Sequence, residues 1–192
     1  MDIDRLIKKD EVHRDVYVSE EVFGLEMDRI FGSAWIYVGH DSQIPNPGDY
    51  WTTRIGLQSV VMTRGKRDEI NIFYNRCPHK GARIAEEGCG HTNGLFRCPY
   101  HAWTFNLDGK LRGVPYFDGY QDTSFDLTDP RFSLRKVARV AAYRGFVFAS
   151  LAEDGAEFED FLAGVKSSLD NFCDRAPEGT VSVAGGVFRV VQ

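Results

Sequence analysis

Two short matching segments place the strongest constraint on this chain. Residues 77–82 read CPHKGA and residues 98–103 read CPYHAW. Each offers one thiolate and one imidazole, spaced Cys-x-His and Cys-x-x-His, with eighteen residues between His79 and Cys98. Such a set can hold a tetrahedral zinc ion, or a [2Fe–2S] cluster in which two histidines replace two cysteines on one iron. The choice between these metals largely decides the function.

The way the ligands are distributed favours the cluster. Zinc modules usually take their ligands from tight Cys-Cys and His-His pairs. Here each segment mixes one Cys with one His, so two facing loops can give one iron two thiolates and the other iron two imidazoles. Pro78, Gly81 and Pro99 are turn-forming residues, which argues against a purely structural core role. A structural zinc module remains the alternative.

A third Cys-x-His pair, Cys89 and His91, lies between the two segments. Only six residues separate His91 from Cys98, which leaves little room for a strand out and back. We therefore expect Cys89 and His91 to lie in an exposed connection, residues 86–94, outside the metal site.

Composition excludes several classes of protein. The net charge of −5 gives no electrostatic case for binding nucleic acid or an anionic membrane. No apolar run approaches the roughly 20 residues of a membrane span, and the first residues lack the apolar core of a signal peptide. With four cysteines in the chain, thiols or metal ligands are expected rather than disulfides. These features predict a cytoplasmic protein.

The N-terminal part predicts a helix followed by sheets. Ser19, an acidic first turn and apolar residues at Phe23, Met27 and Phe31 are typical of a capped amphipathic helix that ends near residues 32–33. From there to about residue 151, short β-branched and aromatic stretches alternate with turn signals. This pattern predicts an antiparallel β-sandwich or barrel.

Individual strands can be placed within that region. Residues 59–63 and 70–74 read as two strands, and residues 103–111 as a hairpin around Asp108-Gly109, a dipeptide that suits a type I′ turn. The first Cys-His segment follows one strand and the second precedes another. Both are therefore expected on loops at hairpin tips.

The C-terminal part changes pattern again. Residues 157–172 carry a helical apolar stripe. A strand is then predicted from Val181, Val183, Val187, Phe188, Val190 and Val191. Because an apolar strand needs partners, we expect the chain to be a piece of a longer protein.

Together the two Cys-His segments closely resemble the cluster loops of Rieske non-haem iron oxygenases, the aromatic-ring-hydroxylating dioxygenases. The resemblance includes WIYVGH at 35–40 and PGDY at 47–50, and it covers most of residues 19–192. It implies a [2Fe–2S] cluster with Cys77 and Cys98 on the buried iron and His79 and His101 on the outer iron. It also implies a mainly β fold with flanking helices: a Rieske-type antiparallel β-sandwich with two cluster-binding hairpin loops, an N-terminal helix and the start of a C-terminal catalytic α+β domain.

The resemblance marks further residues beside the cluster: Lys80, Gly81, Tyr100, Trp103 and Pro115. Lys80 stands where the family usually has Arg, which keeps the charge but loses the planar fork. Residues 113–115 are expected to form a third loop that shields the cluster, with an ordinary turn as the alternative. Tyr100 and Trp103 are expected to pack around the cluster and limit water, with plain core aromatics as the alternative.

Missing residues predict a low potential. Rieske proteins of respiratory complexes carry an extra Cys in each loop and a Ser hydroxyl that donates to the cluster. The matching positions here are Ala82, Tyr100 and Trp103. Fewer donors leave the reduced cluster less stabilised, so we expect a potential near the low end of the roughly −150 to +300 mV Rieske range.

The histidines bear on whether the oxygenating site is present. In the family a second, mononuclear iron is held by two His and a carboxylate, but no His follows His101 in the remaining 91 residues. The other histidines, His13, His40 and His91, lack that spacing. We expect residues 1–38 to be an N-terminal helical segment, 39–155 a Rieske domain and 156–192 the opening of a catalytic domain, with the mononuclear iron in a missing portion.

The resemblance implies electron relay toward an iron that activates O₂, and a stand-alone Rieske ferredoxin is the alternative. The flanking elements favour the oxygenase. Implied partners are a ferredoxin or reductase as electron donor, and further copies of the chain in a ring-shaped, trimer-based homo-oligomer. A small beta subunit is compatible with this assembly. The exposed edge of a cluster-bound His would be the electron exit.

Overall fold

Antiparallel β-sheets dominate the part of the chain that the computed structural model describes, residues 3–86 and 88–184. The strands of this part are β1 (Ile36–His40), β2 (Asp49–Ile55), β3 (Gln58–Arg64), β4 (Ile70–Tyr74), β5 (Cys89–His91), β6 (Leu95–Arg97), β7 (Thr104–Asn106), β8 (Leu111–Gly113), β9 (Arg139–Tyr143) and β10 (Phe146–Ser150). They form sheets in the orders β1-β10-β9, β4-β3-β2-β5 and β6-β7-β8. The mainly β fold predicted from the sequence is confirmed.

The β4-β3-β2-β5 sheet lies between two apolar cores. Three consecutive residues of β3, Val60, Val61 and Met62, are fully buried. Because side chains alternate along a strand, Val60 and Met62 face one core with Val147 of β10, and Val61 faces the other with Phe96 of β6. Strand β3 therefore has both faces covered, one by each of the other two sheets.

Helices flank the sheets on the N-terminal and C-terminal sides. They are α1 (Asp15–Val18), α2 (Glu20–Glu26) and α3 (Phe158–Asp174), with a π-helical turn at Met27–Phe31 and 3₁₀ turns at Ile3–Arg5, Asp41–Gln43, Phe117–Tyr120 and Pro130–Phe132. Ser19 caps α2, since its Oγ accepts a hydrogen bond from the backbone N–H of Val22 at 3.4 Å. The predicted helix and its end near residue 32 are confirmed.

Helix α3 packs on the β1-β10-β9 side through its first two turns. The Phe158 ring meets the Trp35 ring edge to face at 5.1 Å between centroids, and Leu162 is buried beside them. The Trp35 indole N–H also donates to the carbonyl of Ala156 at 2.9 Å. The helix predicted from residues 157–172 is confirmed, and these contacts join it to the segment before β1.

The turn between β7 and β8 differs from the prediction. A type I′ turn needs positive φ at both central residues, whereas φ is positive at Gly109 (85°) and not at Asp108. The Gly109 N–H donates to the carbonyl of Asn106 at 2.9 Å, and the Asn106 N–H donates to the carbonyl of Lys110 at 2.9 Å. The type I′ prediction is wrong because the loop has three residues, with Gly109 at the left-handed position.

Two other expectations concern the chain ends. Of the predicted C-terminal strand only residues 181–184 are described, and they pair with no described strand, so this strand stays a prediction. Its remaining apolar positions lie outside the described residues. Within residues 3–86 and 88–184, no helix is long and apolar enough to cross a membrane.

Candidate metal centre

The two Cys-His segments have the same backbone conformation. In the first, the Cys77 N–H donates to the carbonyl of Ala82 at 2.8 Å, and the Gly81 N–H donates back to Cys77 at 2.9 Å. In the second, the Cys98 N–H donates to the carbonyl of Trp103 at 2.8 Å, and the Ala102 N–H donates to the carbonyl of Cys98 at 3.0 Å. The fifth residue of each segment is left-handed, with φ of 76° at Gly81 and 56° at Ala102. The match seen in the sequence is therefore a match of folded loops.

The loops are anchored in different ways. The second loop is the tip of the β6–β7 hairpin, where Arg97 and Thr104 are paired. The first loop follows β4, but the next strand, β5, pairs with β2 and not with β4. The expectation that both loops lie at hairpin tips is therefore confirmed for the second loop and wrong for the first, which no pair of neighbouring strands closes.

Asn75 closes the first loop instead. Its Oδ1 accepts hydrogen bonds from the backbone N–H groups of Ile84 and Ala85 at 2.9 and 3.0 Å, and its Nδ2 donates to the carbonyl of Ala85 at 2.9 Å. Its own N–H donates to the carbonyl of Ser59 in β3 at 2.9 Å. The side chain is buried, so these bonds fix both ends of the loop with little competition from water. The sequence gives no local signal for this role of Asn75, and it was not predicted.

Two thiols meet in the interior. Cys77 and Cys98 are buried, at 2% and 3% exposure, and neither forms a disulfide. Burial, with a smaller contribution from the adjacent Cys98 thiol within hydrogen-bonding reach, raises the pKa of the Cys77 thiol to about 11. The backbone N–H groups of His79 and Lys80 point at the Cys77 sulfur and act in the opposite direction. Because a thiolate here is costly without a cation, this pair suits a metal that would replace the protons.

Two imidazoles meet nearer the surface. The rings of His79 and His101 lie 4.8 Å apart between centroids. His79 is half-buried and His101 is exposed. Burial lowers the pKa of His79, and the neighbouring His101 and Lys80 charges lower it further. The neutral form favoured at His79 is the one that binds metals.

Aromatic rings lie against both imidazoles. The Trp103 ring stacks on His79, at 4.9 Å and 6° between planes, and is only 4% exposed. The Tyr100 ring stacks on His101 at 3.7 Å, yet Tyr100 is 65% exposed. Trp103 thus covers one face of the His79 ring, whereas Tyr100 lies on the surface beside His101.

The other three residues marked beside the cluster lie on its rim. Lys80 and Gly81 are exposed and line a cavity of about 510 Å³ on the first loop. Pro115 is exposed and lines a second cavity, of about 490 Å³, together with both imidazoles. The structure therefore brings all nine sequence-predicted site residues together around the two loops.

The third Cys-x-His pair has a different environment. Cys89 and His91 are exposed as expected, but they belong to strand β5 and not to an irregular connection. The His91 Nδ1–H donates to the Asp49 carboxylate at 2.7 Å, across the β2–β5 pair. The expected exposure outside the metal site is confirmed, but strand β5 was not predicted, because its pairing partner lies about forty residues earlier in the chain. His40 lies buried at the end of β1, where its ring meets Phe146 at 5.1 Å.

The donors fit a [2Fe–2S] cluster. A Rieske cluster takes two thiolates on one iron and two imidazoles on the other, and the structure pairs thiol with thiol and imidazole with imidazole. A zinc ion would need its ligands to converge on one point. Within the described ranges, no group of three or more His, Cys, Asp or Glu side chains is arranged to hold one metal ion.

Comparison with known proteins agrees with this geometry. The sequence profile of the Rieske [2Fe-2S] domain matches residues 34–131, about half of the chain. The chain belongs to the Rieske [2Fe-2S] domain family. The matched range contains both loops, so the cofactor of this Rieske domain is a [2Fe–2S] cluster.

Individual relatives extend the likeness beyond the Rieske domain. The chain is 42% identical over 191 residues to toluate 1,2-dioxygenase subunit alpha of Pseudomonas putida, which covers 95% of this chain and 41% of that subunit. Naphthalene 1,2-dioxygenase from Rhodococcus sp. superposes with a TM-score of 0.78 at 35% identity, covering 87% of this chain and 37% of that one. A quaternary ammonium Rieske monooxygenase superposes with a TM-score of 0.74 at 38% identity, covering 84% and 43%.

These relatives distinguish the two readings of the sequence. The chain spans about two fifths of the length of the oxygenase chains it matches. The likeness to the toluate dioxygenase subunit covers nearly all of this chain, so it includes helices α2 and α3 outside the Rieske-domain match. The findings therefore favour relationship to oxygenase alpha subunits over a stand-alone ferredoxin.

Proposed function

We propose that this chain is the electron-relay part of an aromatic-ring-hydroxylating oxygenase. The observation that carries the proposal is that the two thiols lie together in the interior and the two imidazoles lie together nearer the surface. Both pairs are held by two loops of the same conformation. Cys77 and Cys98 would hold the inner iron, and His79 and His101 the outer iron. When bound, the cluster supplies one-electron redox chemistry.

The protein's own groups set the environment of that chemistry. The backbone N–H groups of His79 and Lys80 point at the Cys77 sulfur and would stabilise added negative charge there. Trp103 stands where respiratory Rieske proteins have a donating Ser, and its ring lies on His79 and limits water. The two N–H groups would raise the potential, whereas the missing Ser donor and the limited access of water disfavour the more negative reduced cluster. We propose that the second effect is larger and that the midpoint potential lies in the lower half of the roughly −150 to +300 mV Rieske range. A measured midpoint potential in the upper half of that range would contradict the view that the missing donor and the limited water lower the potential.

The wider activity is proposed from the relatives. An electron donor, a ferredoxin or reductase, would reduce the Rieske centre, and an iron in a catalytic portion would use the electrons with O₂ to hydroxylate an aromatic substrate. The named toluate and naphthalene dioxygenases support the aromatic class. A homo-oligomer built on trimers, with room for a small beta subunit, would bring the exposed His101 edge to the iron site of a neighbouring copy. The three divisions 1–38, 39–155 and 156–192 and a cytoplasmic location belong to the same proposal.

The ligand assignment is tested with two matched variants. Iron and acid-labile sulfide are measured, and EPR spectra are recorded after dithionite reduction, for the wild type, Cys98→Ala and Cys89→Ala. We expect cluster loss in Cys98→Ala and an unchanged signal in Cys89→Ala, because Cys98 is buried against Cys77 whereas Cys89 is exposed on β5. His101→Cys should keep a cluster and lower its potential. Zinc without labile sulfide in the wild type would reject the proposal, and an intact cluster in Cys98→Ala would reject the ligand set.

A further inference from the structure

One side of the candidate metal centre is a groove lined by cations. The cavity of about 510 Å³ beside the first loop contains the side chains of Arg76, Lys80, Arg131 and Arg135. His79 also lines it, so the groove reaches the edge of an imidazole. We call this surface the basic groove.

Most of these cations have no carboxylate to balance them. Arg131 is paired with Asp129 at 2.6 Å. Within the described residues, Arg76, Lys80 and Arg135 have no acidic partner, and the Arg135 guanidinium lies 5.0 Å from the Tyr74 ring. The chain as a whole has 28 acidic and 23 basic residues. Three unbalanced cations therefore make the surface beside the metal centre positively charged, although the net charge of the chain is negative.

The second cavity beside the centre has a different chemical character. The cavity of about 490 Å³ is lined by both imidazoles and several rings, and it contains one cation, Arg97. Its exposed rings include Tyr100 and Tyr116, at 65% and 93% exposure. Aromatic surfaces are typical of durable protein contacts, whereas complementary charge speeds encounter between partners that must separate again. The basic groove is the side suited to a transient partner.

We propose that the basic groove is the docking surface for an acidic redox protein that delivers electrons at the His79 edge. The donor loses one electron and the metal centre gains one, with no atom transferred. This inference rests on the proposed electron-relay function and adds where the donor binds and what charge it carries. A short electrostatic contact through Arg76 and Arg135 would orient the donor without burying a large interface.

Binding to a known acidic protein tests the proposal. The probe is an oxidised plant-type [2Fe–2S] ferredoxin, titrated by calorimetry into the cluster-loaded chain. The titration is done at about 20 mM salt, where charges on the two surfaces interact strongly, and at about 200 mM salt, where that interaction is largely screened. Arg76→Gln/Arg135→Gln is compared with Lys66→Gln/Arg67→Gln, which removes the same charge at the far end of the β3–β4 hairpin. We expect about tenfold weaker binding and a flatter salt dependence for the groove variant, and little change for the control.

The outcomes separate the docking surface from the electron-relay function. Equal losses in both variants, or none in the groove variant, would overturn the docking surface. Displacement of ferredoxin by inorganic phosphate beyond that by chloride at equal ionic strength would also overturn it, because the groove would then be a small-anion site. The EPR signal is recorded for every variant. Its absence from the wild type rejects the proposed function, while the binding ratio between the variants still reports on the groove.

Discussion

Replacing Asn75 by Ala should destabilise the protein more than any surface change of the same size. Asn75 is 4% exposed, and its side chain makes three hydrogen bonds to the backbone of Ile84 and Ala85. Truncation leaves two N–H groups and one carbonyl without partners in a buried place. At about 1–3 kcal/mol for each orphaned group, with incomplete additivity, we expect a loss of about 3–5 kcal/mol.

Asn71→Ala is a matched control for this change. Asn71 is also buried, at 7% exposure, but its partners are the side chains of Glu69 and Lys136. Those long side chains can turn to water when the amide is removed, so the expected loss is about 1 kcal/mol. The two variants remove the same atoms from neighbouring positions of one hairpin, and they differ in whether the orphaned groups can reach solvent.

Urea unfolding of both variants, in the same metallation state as the wild type, measures the difference. The m-value should stay constant, since the same surface is exposed on unfolding. Hydrogen exchange supplies a local check, because the Ile84 and Ala85 amides should exchange about 100-fold faster in Asn75→Ala if loop opening becomes easier by about 3 kcal/mol. A loss for Asn75→Ala no larger than for Asn71→Ala would refute the view that this side chain closes the first loop.

Three further predictions follow from single positions. Gly81→Ala should lower the free energy of unfolding in urea by about 1 kcal/mol, because the backbone φ is 76°, although the nearest atom to an added Cβ is 3.7 Å away. Gly164→Ala, on α3 with no atom near an added Cβ, should raise it by about 1 kcal/mol. Changes of the same sign in the two variants would contradict the backbone argument. Phe158→Ala should lower the free energy of unfolding by about 3–5 kcal/mol and Phe161→Ala by about 1 kcal/mol, because the two side chains are 8% and 44% exposed. Similar thermal unfolding midpoints for the two variants would show that α3 packs differently. Burial raises the pKa of Asp49, but the hydrogen bonds that its carboxylate accepts outweigh burial and hold the pKa below its usual value. Its contribution to stability is therefore complete above the unfolded pKa of about 3.9 and is lost as the pH falls through the lower folded value. Asp49→Asn should flatten the dependence of stability on pH below about 4, and an unchanged slope would exclude this carboxylate as its source.

The features predicted well from sequence are those with local causes. Strand β4 was predicted with the bounds that the structure has, and β3 within one residue at each end, because a turn-rich segment separates two β-branched stretches. The Ser19 cap and the apolar spacing of α2 likewise act over a few residues. The grouping of the nine site residues came from the two loops and their family resemblance, and the geometry brings those residues together.

The features that sequence missed depend on distant partners. Strand β5 has three residues and no strong β pattern, and it is a strand because β2 offers a free edge to pair with. The closing role of Asn75 depends on residues nine and ten positions later in the chain. The three-residue β7–β8 loop is fixed partly by close approach, because a Cβ at Gly109 would lie 2.4 Å from the Phe73 ring. None of these three contacts has a local signature.

The difference between Cys-x-His and Cys-x-x-His acquires a physical meaning in this fold. Since the two loops share one backbone conformation, His79 and His101 stand one position apart on otherwise equivalent turns. The residue that ends the second loop is Trp103, and its ring covers His79. The equivalent residue of the first loop is Ala82, which has no ring, so the only ring stacked on His101 among the described residues is that of the exposed Tyr100. The sequence asymmetry therefore shelters one imidazole and leaves the other exposed, so the two sides of the centre can serve different partners, with charge concentrated beside the sheltered His79.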